Sequence, residues 1–194
     1  MTQKISELLE TAVDRAMPVV RGIDDVRLGD PTPCAEYDVR ALLNHLFLVV
    51  VNFRALAARE DVDFSREPEF VTGDWRARFG EETARLVEAW AVPGAEEGTT
   101  GRMGLPARTV GLMVLGDLTV HAWDLARATG GDFAPEPGVL DEVGPGLAAM
   151  APQAREMKMF GEPFPVGEDA TAFERLLAVT GRDPGWTPGG TPTG

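Results

Sequence analysis

The stretch from Pro106 to Thr129, PARTVGLMVLGDLTVHAWDLARAT, constrains the fold more than any other part of the chain. It is far too long for a strand and carries apolar residues at helical spacing. Pro106 stands where a first-turn proline opens a helix. Gly130 and Gly131 follow where glycines close one. The run reads as a buried helix.

The rest of the chain supplies them. Ile5, Leu8, Leu9, Ala12, Val13, Ala16 and Val20 mark a first amphipathic helix over 4–20. After the proline-bearing loop GDPTPCAEY (29–37), Asp38 is a good N-cap for a second helix running to about Glu60. Its stripe is Leu42, Leu46, Val49, Phe53 and Leu56. A third helix is expected over 72–91. The segment 137–159 reads as a weaker helix interrupted by Gly144-Pro145-Gly146 and Pro152. TAFERLLAVTG (171–181) closes with a short helix. There is no strand-like alternation and no repeat, so the expectation is an all-α four-helix bundle with C-terminal additions. Residues 1–186 are read as one helical domain and 187–194 as a disordered tail. The 15-residue loop VPGAEEGTTGRMGLP (92–106) is long enough to be functional or mobile.

Charge narrows the partners. The formal net charge of −13 argues against nucleic acid, which is bound through clustered Lys and Arg. It argues equally against anionic membrane surfaces, and no run such as LFLVVV (46–51) approaches the length of a spanning segment. MTQKISELLE lacks a signal-peptide core, and the lone Cys34 permits no internal disulfide. A cytoplasmic protein is expected.

The central helix also carries groups that do not belong on an apolar face. Asp117 and His121 are one turn apart and share a side with Val110, Met113, Val114 and Val120, and Asp124 falls there too. On the second helix His45 stands between Leu42 and Val49. The chain has two histidines, and both face inward. A buried carboxylate requires a cation, a metal or good hydrogen-bond donors. His45, Asp117 and His121 together form an N₂O set that suits Zn²⁺, Fe²⁺ or Ni²⁺ and leaves coordination positions open. Asp124 is placed to hold an imidazole N–H behind the ligands. The alternative for each histidine is a hydrogen-bonded core residue without any metal, with Asp117 pairing to a protonated imidazole.

Three blocks, PTPCAEYDVRALLNHL (31–46), DLTVHAWDLARATG (117–130) and RLLAVTGRDPGW (175–186), together resemble the actinobacterial metal-binding branch of the DinB-like, mycothiol-dependent maleylpyruvate isomerase superfamily. The resemblance implies a four-helix DinB-like bundle holding a divalent metal, zinc first and nickel or iron next, on His45, Asp117 and His121. It implies a low-molecular-weight thiol of the mycothiol type as second cofactor and a small-molecule electrophile as substrate, with isomerisation or S-transfer as the reaction. Asp117 stands where the isomerase itself carries a longer Glu, and Tyr37 where Trp is the pattern. The competing function is a non-catalytic metal- or ligand-binding module of the stress-response kind; a homodimer is compatible with either. Arg102 and Arg108 flank the long loop and are candidates to bind an anionic thiol or substrate, with solvated surface arginines as the alternative. Cys34 lacks an adjacent base and reads as a packing residue. Trp75, Trp90 and Trp123 read as core or pocket walls.

Overall fold

The computed structural model describes residues 3–66, 68–101 and 104–189. Among these lie six helices: α1 (Ile5–Gly22), α2 (Val39–Ala57), α3 (Trp75–Ala91), α4 (Ala107–Ala128), α5 (Pro137–Glu156) and α6 (Ala172–Val179). A 3-10 turn at Asp25–Arg27 escaped the periodicity. Pairing of the sheet type is limited, among the described residues, to two isolated bridges. The fold is the all-α bundle that the sequence implies.

Helix packing explains the apolar patterns. α1 and α2 each border both α3 and α4, so α1 and α2 stand on one diagonal of the bundle and α3 and α4 on the other. α3 needs one inward stripe, and Trp75, Phe79, Thr83, Leu86 and Trp90 provide it at spacings of three and four. α4 has a third neighbour, because α5 covers its outer side and α6 in turn covers α5. Every residue from Leu118 to Ala126 is buried, which leaves no solvated face there. Two glycines let the neighbours approach: a Cβ on Gly111 would sit 2.8 Å from an Ile5 methyl, and one on Gly116 would sit 3.0 Å from Leu147.

The helix ends follow side-chain chemistry. Asp38 caps α2 by accepting from Ala41 N–H at 2.8 Å, and Asp74 caps α3 through Ala77 N–H. Thr171 and Glu174 form a reciprocal capping box on α6. α4 closes as expected: Gly131 N–H returns to Ala126 C=O at 2.8 Å and Gly130 has φ +80°.

Three expectations change. Residues 137–156 form one continuous helix, with Pro145 and Pro152 inside it on the exposed side. Val139, Val143, Leu147, Ala151 and Ala154 bury a stripe at helical spacing, and that packing outweighs two missing backbone hydrogen bonds. α2, at 19 residues and mean hydropathy 1.4, is long and apolar enough to cross a membrane by length and composition. Counting only LFLVVV hid this; half of the α2 window is buried inside the protein. The described part of the 92–106 loop is stapled down. Arg59 donates to the carbonyls of Gly94 (3.1 Å), Glu97 and Thr99, and Thr100 N–H pairs with Leu105 C=O at 3.0 Å. Of the expected tail, 190–194 lie outside the described residues.

Candidate metal centre

Packing of α2 on α4 brings His45 up to a pair of donors, Asp117 and His121, that lie more than seventy residues further along the chain. His45, Asp117 and His121 each offer one ligand atom, and the three atoms lie within 4.8 Å of one another. His121 Nε2 is 3.9 Å from Asp117 Oδ1. The two imidazoles meet edge to face, centroids 5.1 Å apart at 86°. His121 is buried at 6% exposure, whereas the Asp117 side chain keeps 32% of its surface open, so the cluster has a wall side and a solvent side. Zinc ligands sit at about 2.0–2.2 Å from the ion. Two imidazoles and one carboxylate are a donor set that fits a divalent transition metal.

The wall side is built by Asp124 and an arginine from the far end of the chain. His121 Nδ1 lies 2.9 Å from Asp124 Oδ2, one turn along α4. The same oxygen accepts from Arg182 Nη2 at 3.1 Å, and Arg182 Nε is 3.5 Å from Oδ1. Asp124 has no exposed surface and Arg182 only 7%. A carboxylate held by a guanidinium accepts hydrogen bonds, so Nδ1 carries the imidazole hydrogen and the Nε2 lone pair is left toward Asp117.

Arg182 arrives by a backbone device. α6 ends in a turn in which Gly181 N–H bonds Ala178 C=O at 3.0 Å and Arg182 N–H bonds Leu177 C=O at 2.9 Å. Gly181 takes φ +86°, and a Cβ there would lie 2.7 Å from Gly161 Cα. No other residue fits that crossing. The reversal points Arg182 back into the protein, where Nη1 also binds Thr180 C=O at 3.1 Å.

The 29–37 loop covers the cluster from α2. Tyr37 stacks on His45 with centroids 5.3 Å apart and planes 23° from parallel. The buried Thr32 hydroxyl sits 2.8 Å from Tyr37 C=O and 3.0 Å from Cys34 C=O, and it accepts Cys34 N–H at 3.1 Å. Burial, aided by the neighbouring His121 and Arg182, lowers the His45 pKa to about 4 and keeps its imidazole neutral, the form that binds metal. Burial raises the Asp117 pKa against the opposing pull of His121 and Arg182. Burial likewise pushes the Cys34 thiol up to about 11, in keeping with a packing residue.

Of the two arginines that flank the long loop, Arg108 lies away from the cluster. Arg102 falls outside the described residues. Arg108 binds Glu96 and, at 2.9 Å, Glu142. It is nine residues and about 13 Å along α4 from Asp117, so its charge is engaged away from the cluster. Two surface depressions, of about 370 and 200 Å³, are lined by the 166–174 segment with Pro184 and by α1 with Phe133, and neither includes the three donors. Sequence reasoning missed Arg182. The buried Asp124 demanded a cation, but eighteen Lys and Arg residues compete for that role until Gly181 is seen to turn the chain.

Bundle and cluster together define a class: helical proteins with a two-histidine, one-carboxylate centre between facing helices. Residues 9–126, more than half of the chain, match the family described as the mycothiol maleylpyruvate isomerase N-terminal domain, and the chain belongs to that family. Over 181 residues it is 28% identical to an uncharacterised protein of Mycobacterium tuberculosis, found in strains H37Rv and CDC 1551, covering 89% of this chain and 94% of the relative. Two crystal structures of the mycothiol-dependent maleylpyruvate isomerase share the fold. One, of a histidine-to-alanine mutant, gives a TM-score of 0.58 at 16% identity, and the other gives 0.54 at 18%. Each covers 82% of this chain and 73% of the solved one.

Proposed function

We propose that this protein binds a divalent transition-metal ion, zinc before nickel or iron, through His45, Asp117 and His121, and uses it to act on a small electrophile with a low-molecular-weight thiol of the mycothiol type. The observation that carries this reading is the convergence of the three donor atoms within 4.8 Å from two packed helices. Membership of the mycothiol maleylpyruvate isomerase family supports the thiol and the reaction class, isomerisation or S-transfer. Held by His45, Asp117 and His121, such an ion would supply Lewis acidity that favours the thiolate form of a bound thiol at neutral pH.

The chain's own residues do the rest. Asp124 holds His121 Nδ1 and leaves Nε2 free. Tyr37 holds the His45 ring by stacking. Asp117, part-exposed, marks the side from which a thiol and its partner enter. The reading places the activity in the cytoplasm.

Metal analysis is the first test. Purified protein reconstituted with Zn²⁺ should hold about one equivalent; less than about 0.2 equivalents of any transition metal would sink the proposal. Mycothiol conjugation to a bimane-type electrophile should then be measured. His45→Ala should lose the rate seen in the wild type. Equal rates with metal bound would leave a non-catalytic metal-binding module.

A further inference from the structure

We propose that Arg182 is a positioning residue of the metal centre: acting through Asp124 it fixes the His121 imidazole, so the segment beyond the matched domain sets how tightly the ion is held. The inference rests on the function proposed above and adds a residue to it. The family match ends at residue 126 and already contains His45, Asp117, His121 and Asp124. What holds Asp124 in place comes from residue 182.

One oxygen carries the connection. Asp124 Oδ2 receives both His121 Nδ1 at 2.9 Å and Arg182 Nη2 at 3.1 Å. With Asp124 wholly buried, loss of the guanidinium leaves its charge without the partner that compensates it. Removing the arginine therefore frees the carboxylate to rotate about its side-chain torsions, and the imidazole hydrogen-bonded to it loses its fixed bearing. The guanidinium in turn has little freedom. Nη1 is bonded to Thr180 C=O at 3.1 Å, and the Gly181 turn is wedged against Gly161. A second tie fastens the same segment to α4: Arg127 Nε and Nη2 donate to Trp186 C=O at 3.2 and 2.8 Å. The C-terminal segment thus grips α4 at two points near its C-terminal end, Asp124 and Arg127, and one of the grips bears on a proposed metal ligand. Outer groups that orient metal-bound histidines commonly change affinity by about 10–100-fold when removed.

The test uses the full chain stripped of metal, with Zn²⁺ affinity read by competition with a chromophoric chelator. Visible absorption of the Co²⁺-loaded protein and thermal unfolding of the apo form are measured alongside. Arg182→Met should weaken Zn²⁺ binding about 10–100-fold and alter the Co²⁺ bands, and Arg182→Lys should recover part of the affinity. Asp124→Asn should resemble Arg182→Met, and the double variant should lose little more than either single one, because the two act through one path. A purely structural arginine would lower the apo unfolding temperature and leave affinity and spectrum untouched; that result overturns the proposal. If Arg182→Met does not fold, Arg182→Lys and Asp124→Asn decide, and wild-type affinity within about twofold in both overturns it. Wild-type protein that takes up no Zn²⁺ removes the proposed function and this inference together. A wild type that binds well beside variants that bind equally well removes the inference alone.

Discussion

Helix α4 carries a charged cluster toward each end, and the two have the same composition in charge: one arginine and two carboxylates. At the N-terminal end Arg108 meets Glu96 and Glu142, and the other Glu96 oxygen accepts the Ile5 N–H at 2.8 Å. That N–H opens α1, so the surplus negative charge falls on a helix N-terminus, where it is favoured. At the other end Arg182 is committed to Asp124, and the second carboxylate, Asp117, faces the Nε2 of His121 at 3.9 Å. One cluster is closed by the protein itself. The other leaves an acidic oxygen beside two imidazoles, the arrangement to which the proposed divalent cation is assigned.

Breaking the open cluster should have the largest effect. With Zn²⁺ at about a thousandfold over its dissociation constant, binding adds about 4 kcal/mol to the stability of the wild type. That is on the order of 10 °C in unfolding temperature for a chain of this size. Asp117→Ala should abolish most of that rise and weaken Zn²⁺ binding by at least about 100-fold, as measured by thermal unfolding with and without metal. In the apo form the same variant should be close to wild type in stability, because it removes a carboxylate that burial already disfavours in its charged form. A large apo destabilisation would mean that the open cluster is structural after all.

Acid sharpens the contrast from another side. The His45 pKa is depressed from 6.5 to about 4, first by burial and then by the neighbouring His121 and Arg182. Between those values the unfolded chain binds a proton that the folded chain refuses, so this group removes stability as pH falls from 6.5 to 4 and adds no further loss below. Asp117, whose pKa is raised, acts with the opposite sign. The comparison is therefore made between apo wild type and His45→Phe, which keeps a ring against Tyr37. The wild type should lose unfolding temperature more steeply across that window. Parallel profiles would show that His45 takes up its proton as readily in the folded protein as in the unfolded chain.

The closed cluster predicts a smaller effect of the opposite kind. Arg108→Ala leaves Glu96 and Glu142, each about a quarter exposed, without their cation. A loss of about 1–2 kcal/mol of stability is expected, discounted from the buried-pair range for that exposure. Zn²⁺ affinity should not change. A weakened affinity would show that the two ends of α4 are coupled, against the separation drawn above.

What the sequence disclosed follows the reach of each interaction. Helix periods and caps are local, so Asp38, Gly130 and the four long helices were legible, as were the inward faces of His45, Asp117 and His121. The continuity of α5 was not, because Pro145 and Pro152 argue against a helix locally and only the stripe packed on α4 overrules them. The roles of Arg108 and Arg182 were equally hidden. Both are cations paired across long sequence separations, 34 residues to Glu142 and 58 to Asp124. Nothing local separates a solvated arginine from one that a glycine turn sends into the core.

Cys34 provides the gentlest probe of the same boundary. Burial raises its pKa to about 11 despite the nearby Arg182 charge, so its thiolate fraction at pH 7.5 is about 100-fold below that of a thiol with the ordinary value of 9.0. Alkylation by iodoacetamide should therefore run at least about 100-fold slower in the native protein than in denaturant, with metal bound or not. Because Thr32 ties the Cys34 and Tyr37 carbonyls into one turn, the labelling rate also reports on whether Tyr37 stays over His45. Rapid native labelling would mean that the 29–37 loop opens. The second imidazole would then be held by α2 alone, and the open cluster would be less preorganised for an ion than the closed one is for its arginine.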